Sequence, residues 1–230
     1  MSLMHKTSII LIFIFGFHHI ASANDYCPKK VGAMSEAIAH EEITSIYTNI
    51  FNELECEITI VKVPGQRIIK LLNTGKLDGD LLRFPVVEEK YQFDFIRSNP
   101  PVLKDLVKGV FKFPGSKVNN QIPKGVVLGS VWQEKYADAH RDEDMAKVIL
   151  YYSYDEILKA YQNQEINAFL SEQPLVDHAF NIGQIDIKPE LHKAIHTDNI
   201  HLYLRAEYAD FMRDFGKIIT KKNPFADNSL

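Results

Sequence analysis

The chain has 230 residues, 46% hydrophobic and 24% charged, with a formal charge of −4. That mildly acidic balance argues against nucleic-acid binding, which needs a basic stripe to displace phosphate counterions. Two cysteines without a CxxC spacing argue against a thiolate zinc site or a redox pair.

The first residues read as an address. Lys6 precedes an apolar run from Ile9 to Phe15, and Ala21-Ser22-Ala23 follows. This pattern predicts a cleavable secretory signal over residues 1–23, cut between Ala23 and Asn24, and export to the periplasm. The run falls short of the ~20 apolar residues that span a bilayer. Loss of Lys6 takes the charge to −5. Asp25 and Tyr26 stand before Cys27, where lipid-attachment signals carry small residues, so a soluble product is expected. In an exported chain Cys27 and Cys56 are expected to pair. Two buried free thiols are the alternative.

Ile43, Tyr47, Ile50, Phe51 and Leu54 recur at helical spacing, with Ser35 as a cap and Glu36 at the positive end. Glu57–Val63 predicts a strand closed by Pro64-Gly65, Gln66–Asn73 a helix stopped at Gly75, and Leu77–Phe84 a second strand. Asn99-Pro100-Pro101 and Pro114-Gly115 break the chain, and Val102–Phe113 between them fits either a helix or a strand crossing between lobes.

A second series follows. It comprises a strand at Gly125–Leu128, a helix at Val131–Ala139, a strand at Lys147–Tyr152, and a helix opened by the capping box Ser153-Tyr154-Asp155-Glu156. A strand at Ile166–Leu170, a helix at Ser171–Asn181 and a strand at Ile200–Leu204 come next. Tyr208, Phe211, Met212, Phe215, Ile218 and Ile219 mark an amphipathic last helix, read as packing on a sheet. Alternation of helix and strand predicts α/β layers with parallel strands.

The segment EITIVKVPGQRIIKLLNTGKLDGDLLR (Glu57–Arg83) resembles the first lobe of bacterial extracellular solute-binding proteins of family 3, with Leu72–Asp78 carrying the closest match. GVVLGSVWQEKYA (Gly125–Ala137) and INAFLSE (Ile166–Glu172) resemble parts of the second lobe. The resemblance implies an α/β fold of the type II periplasmic binding-protein kind, two lobes with a ligand cleft between them and no enzyme chemistry. It implies a small polar solute, amino-acid-like or another carboxylate, delivered to an inner-membrane ABC permease. A sensory or adaptor protein that binds a partner protein is the alternative. No cofactor and a monomeric state are expected. Residues 24–105 with 195–230 would form one lobe and 106–194 the other. The chain departs from the family pattern in three places. CPKKVGAM (Cys27–Met34) stands where a first strand and an aromatic-proline loop belong, Val87-Glu88-Glu89-Lys90 replaces a Thr-x-x-Arg motif, and Glu172 replaces an Asp that holds an α-amine.

The candidate ligand residues are Arg83, Gly129, Ser130, Trp132 and Glu172. Arg83 ends an apolar strand, where open α/β sheets place ligands, and its guanidinium suits a carboxylate. A structural ion pair with Asp80 or Glu88 is the other reading. Arg67, on a helix, is expected in solvent. Gly129 and Ser130 offer N–H groups and a hydroxyl to an anion, or an ordinary helix cap. Trp132 flanks the cleft or joins the core, and Glu172 receives a cation or is a first-turn helix charge. His192 and His196 share a helical spacing and His201 follows. Pro189 and the strand at Ile200–Leu204 work against a common helical face, and metal binding is not expected.

Overall fold

A computed structural model describes residues 26–34, 41–118, 123–143, 145 and 147–225. The expected export signal and the cap pair Ser35–Glu36 lie outside the described residues. A first strand, β1 (Lys30–Met34), does exist where the sequence offered only CPKKVGAM. Its Val31 and Ala33 are buried, and it pairs in parallel with both β2 (Thr59–Val63) and β3 (Gly79–Arg83). Too short to show an alternating pattern, β1 is strand because it has a neighbour on each side.

Helix α1 (Glu41–Glu53) lays Ile43, Tyr47, Ile50 and Phe51 into the core. It meets α6 (Ala209–Lys222) there: the Tyr47 ring stacks on Phe215 at 6.1 Å and Phe51 lies 6.0 Å from Phe211. The stripe on α6 also shares a core cluster with the sheet residues Leu81, Leu202 and Leu204, the packing on a sheet that its spacing predicted. Helix α2 (Gly65–Asn73) buries Ile68 and Leu72 in a separate cluster with Leu77 and Tyr203. Pro85–Lys90 is a turn of 3₁₀ helix and β4 (Phe95–Arg97) a short strand.

The ambiguous segment is strand: β5 (Leu103–Lys112). After it come β6 (Lys124–Val127), α3 (Val131–Ala139), β7 (Val148–Tyr151) and α4 (Tyr154–Gln162), the last capped as expected by Ser153 accepting from the Glu156 N–H. Strand β8 (Ala168–Glu172) runs two residues past its predicted end, so α5 (Gln173–Asn181) starts later than expected. Strand β9 (Glu190–Arg205) is far longer than the predicted Ile200–Leu204. It swallows His192 and His196, which are exposed on it rather than on a helical face.

Strand order is β2-β1-β3-β9-β5-β8-β6-β7, with β4 on β9. Two parallel clusters, β2-β1-β3 and β8-β6-β7, are joined by the antiparallel pair β5–β9. Strand β9 serves both sides. Its Glu190–Asp198 stretch lies along β5, and its His201–Arg205 stretch along β3 and β4. The β5–β9 register slips between Leu103 and Leu106, where Asp105 has φ of 56° and its N–H bonds Asn199 Oδ1 at 3.0 Å. Two further slips follow, between Lys108 and Gly109 and between Val110 and Phe111, and such irregularities let a strand bend sharply.

Cys27 and Cys56 are disulfide-bonded, with Cα atoms 5.5 Å apart across a separation of 29 residues. The bond ties the segment before β1 to the turn after α1. A loop of that length contributes about 3–4 kcal/mol in the chain-entropy picture. The Cys27→Ser/Cys56→Ser double variant should lose about that much in urea unfolding, with the slope altered because the unfolded chain expands. An unchanged midpoint would show that the bridge contributes nothing.

Candidate functional site

The parallel strands end at one place. Met34 closes β1, Arg83 closes β3, Val127 closes β6 and Glu172 closes β8. Helices follow three of these strand ends, so helix starts as well as strand ends face the gap, the usual ligand position of open α/β sheets. A cavity of about 80 Å³ lies there, and its walls come from both sides of the β5–β9 crossing. Arg83, Ser130, Trp132 and Glu172 line it, together with Met34, Phe84, Gln133 and Tyr154, which sequence reasoning had not singled out. Gly129 is not in the wall; it sits at the rim against Gln66.

Arg83 is 4% exposed. Its Nε donates to Asp80 Oδ2 at 2.7 Å, Nη2 donates to the Gly65 carbonyl at 3.0 Å, and Nη1 reaches Met34 Sδ. Asp80 is fully buried and also accepts from the Tyr91 hydroxyl at 3.2 Å. Burial pushes its carboxyl above the ordinary range, and the Arg83 charge opposes that shift. Of the two ion-pair partners considered for Arg83, Asp80 is the one used. Glu88 instead pairs with Arg97 at 2.7 Å. Arg67 is exposed, as expected.

On the facing wall, Trp132 Nε1 donates to Glu172 Oε1 at 2.7 Å, so the indole both lines the cavity and holds the carboxylate. Desolvation raises the Glu172 pKa; the indole bond and the Lys108 charge work against it. The Gly129 N–H is taken by Glu134 Oε1 at 2.7 Å and the Ser130 N–H by the Val127 carbonyl at 3.1 Å. Those two N–H groups thus have partners within the chain. Gln133 Oε1 accepts from the Val127 N–H at 2.8 Å.

The two walls touch at the rim. Gln66 Nε2 lies 3.3 Å from Glu134 Oε1, and Lys135 pairs with Glu89. Gly129 has φ of 92° and a side chain there would begin 3.0 Å from the Gln66 nitrogen; a Cβ on Gly65 would sit 2.9 Å from the Gly129 carbonyl. Both glycines are where the backbones approach most closely.

Among the described residues no cluster of three His, Cys, Asp or Glu side chains is arranged to hold a metal ion. His192 and His196 are exposed and His201 is buried, its Nδ1 donating to the Ser98 carbonyl at 2.8 Å. No described helix is long and apolar enough to cross a membrane.

No protein-family model matches the chain, and comparison with curated proteins finds no match. Solved structures do match. The arginine 3rd transport system periplasmic binding protein of Legionella pneumophila is 14% identical, covering 88% of this chain and 96% of its own, at a TM-score of 0.63. The GluR0 ligand-binding core of Nostoc punctiforme, in complex with L-glutamate, is 12% identical, with 86% and 95% covered and a TM-score of 0.68. A histidine kinase sensor domain with similarity to periplasmic binding proteins is 10% identical, with 86% and 92% covered and a TM-score of 0.67. The chain therefore has the two-lobed α/β fold of type II periplasmic binding proteins. The cavity described above is the cleft between its lobes.

Two measurements test this geometry. Arg83→Ala strands the buried Asp80 carboxylate and should cost about 3–5 kcal/mol in denaturant unfolding. Adding Asp80→Asn should recover part of that loss, and a single variant as stable as the parent would remove the ion pair from the account. Burial holds the His201 imidazole below its ordinary 6.5. The unfolded chain then binds the proton more readily, so this stabilisation is present above about pH 6.5 and lost as pH falls through the folded value. Between about pH 7 and about pH 5 the parent melting temperature should fall more steeply than that of His201→Gln. Parallel slopes would show that His201 is not the titrating group.

Proposed function

We propose that the chain is an exported binding protein, a divergent member of extracellular solute-binding family 3, which holds a small solute between its lobes. The lobe limits are placed at residues 24–105 with 195–230 and at 106–194. The observation that carries this reading is the cleft cavity, whose walls draw Arg83 and Phe84 from one lobe and Ser130, Trp132 and Glu172 from the other. A ligand touching both walls stabilises the closed arrangement, and solute capture is thereby coupled to a change of shape that a membrane partner reads. Export through the segment ending at Ala23 would place the protein in the periplasm, and an ABC-type permease is the partner proposed. The neighbours named for arginine transport and glutamate binding support solute capture in this fold. No catalytic step is assigned.

A second reading, a sensory module contacting a partner protein, is favoured by one surface. Strand β7 ends the sheet order and exposes Ile149 and Leu150, with Tyr152 just beyond. Solute alone should raise the melting temperature of a transport component, by RT ln(1 + [L]/Kd). A partner-binding adaptor should ignore a metabolite panel.

Closure itself is testable. Gly65→Ala places a methyl 2.9 Å from the Gly129 carbonyl, so the lobes cannot meet fully. Solute affinity should fall about tenfold or more; because the same methyl meets Arg83 Nη1 at 3.2 Å, affinity is measured on the fraction that remains folded. Equal affinity would show that full closure is not part of capture.

A further inference from the structure

The cleft answers its own charges. Lys108 stands across β5–β8 from Glu172 in register and is 4% exposed. Its ammonium is 2.7 Å from Asp198 Oδ2, 4.0 Å from the Phe84 ring centre and 5.6 Å from that of Trp132. Phe84 and Trp132 are cavity walls. Carboxylates and aromatic faces are how a protein holds a ligand's amine; here a lysine of the chain supplies the amine. A guanidinium is how a protein holds a ligand's carboxylate. Here Asp80 supplies the carboxylate, and the Gly65 carbonyl and Met34 sulfur take further donors of Arg83.

Among these charges Arg83 and Glu172 line the cavity, while Asp80, Asp198 and Lys108 stand behind its wall, so an added anion would face the Glu172 carboxylate and an Arg83 already paired with Asp80. An added cation would compete with Lys108 for the same rings and carboxylates. Glu172, whose Oε1 accepts from Trp132 and which stands in register with Lys108, is the wall's acidic group, and the other polar capacity left there is neutral. The Ser130 hydroxyl does not cap α3, and Gln133 uses its Oε1 on Val127, which leaves its amide N–H₂. Both stand at the N-terminal, positive end of α3, which favours an acceptor oxygen. Most of the remaining wall is apolar: Leu82, Leu106, Val127, Val131 and Ile200. The cavity, about 80 Å³, is smaller than an apolar cavity of about 150 Å³ that takes benzene.

Resting on solute capture in this cleft, we infer that Lys108 and Asp80 occupy the charged poles of the site, and that the ligand is a small, neutral, mostly apolar molecule with one acceptor oxygen. A short ketone, alcohol or lactone has that chemistry. Amino acids and carboxylates do not.

A four-carbon series tests it on the full chain: 2-butanone and 1-butanol against n-butylamine, butyrate and 2-aminobutyrate. Trp132, the chain's only tryptophan, reports occupancy by fluorescence, alongside the melting temperature. The neutral pair should bind saturably and the charged three should not. Ser130→Ala should weaken 2-butanone about fivefold, the loss of one hydrogen bond, and Val127→Phe, which fills the cavity, should abolish the signal. Lys108→Ala should admit n-butylamine; if that variant does not fold, the series on the parent chain still decides. Saturable binding of a charged probe, or of a charged compound from a wider metabolite panel, overturns the ligand class and leaves solute capture standing. Silence towards the neutral pair overturns the class. Silence towards the wider panel as well overturns solute capture itself.

Discussion

The antiparallel pair β5–β9 is the constraint on which everything else hangs. Every other strand reaches its opposite number only through these two, because β9 lies along β5 in one lobe and along β3 and β4 in the other. Backbone hydrogen bonds within the pair are obligatory once its interior is buried. The two strand clusters are therefore joined through this one ladder, whose register slips between Leu103 and Leu106, between Lys108 and Gly109 and between Val110 and Phe111. Ile200 and Leu106 come from this pair and line the cavity, so the joining pair and the cavity share residues.

Parallel strands on either side of that pair have a second consequence. Each strand delivers its C-terminal end, and often the start of the following helix, to the same gap. Glu172 is the N-cap residue of α5, Ser130 that of α3, and Gly65 opens α2. The positive ends of helices thus converge on a space with several buried carboxylates. Buried charge is tolerated only when paired and hydrogen-bonded. Asp80 meets it through Oδ2, which pairs with Arg83, while its buried Oδ1 has no hydrogen-bond partner; the buried Lys108 meets it through the half-buried Asp198.

Under the proposed solute capture, internal pairing of this kind would leave shape and dispersion to discriminate among ligands. It also links stability to the site. At the rim, contacts such as Lys135–Glu89 also join the two walls.

Local elements were legible in the sequence wherever one face or one cap dominated. The stripe on α6, the Ser153 cap of α4 and the α3 limits all rest on spacing within a few residues. Arg83, Ser130, Trp132 and Glu172, chosen from strand and helix ends and from the family resemblance, come together at one cavity. The two lobes were legible from the order of elements and a short family resemblance. Strand β1, the full length of β9 and the strand nature of β5 were not, because a strand is stabilised by neighbours distant in the chain. Lys108 shows the limit most plainly. In the sequence it is one cation inside the apolar run Leu106–Phe111, and no local rule says where its charge is satisfied. Only the tertiary structure brings Asp198, Phe84 and Trp132 around it. Periodicity and capping act between residues near in sequence, and the sequence by itself determines them. Charge pairing in the cleft acts through space, across separations of up to 90 residues, and is decided only when the chain is folded.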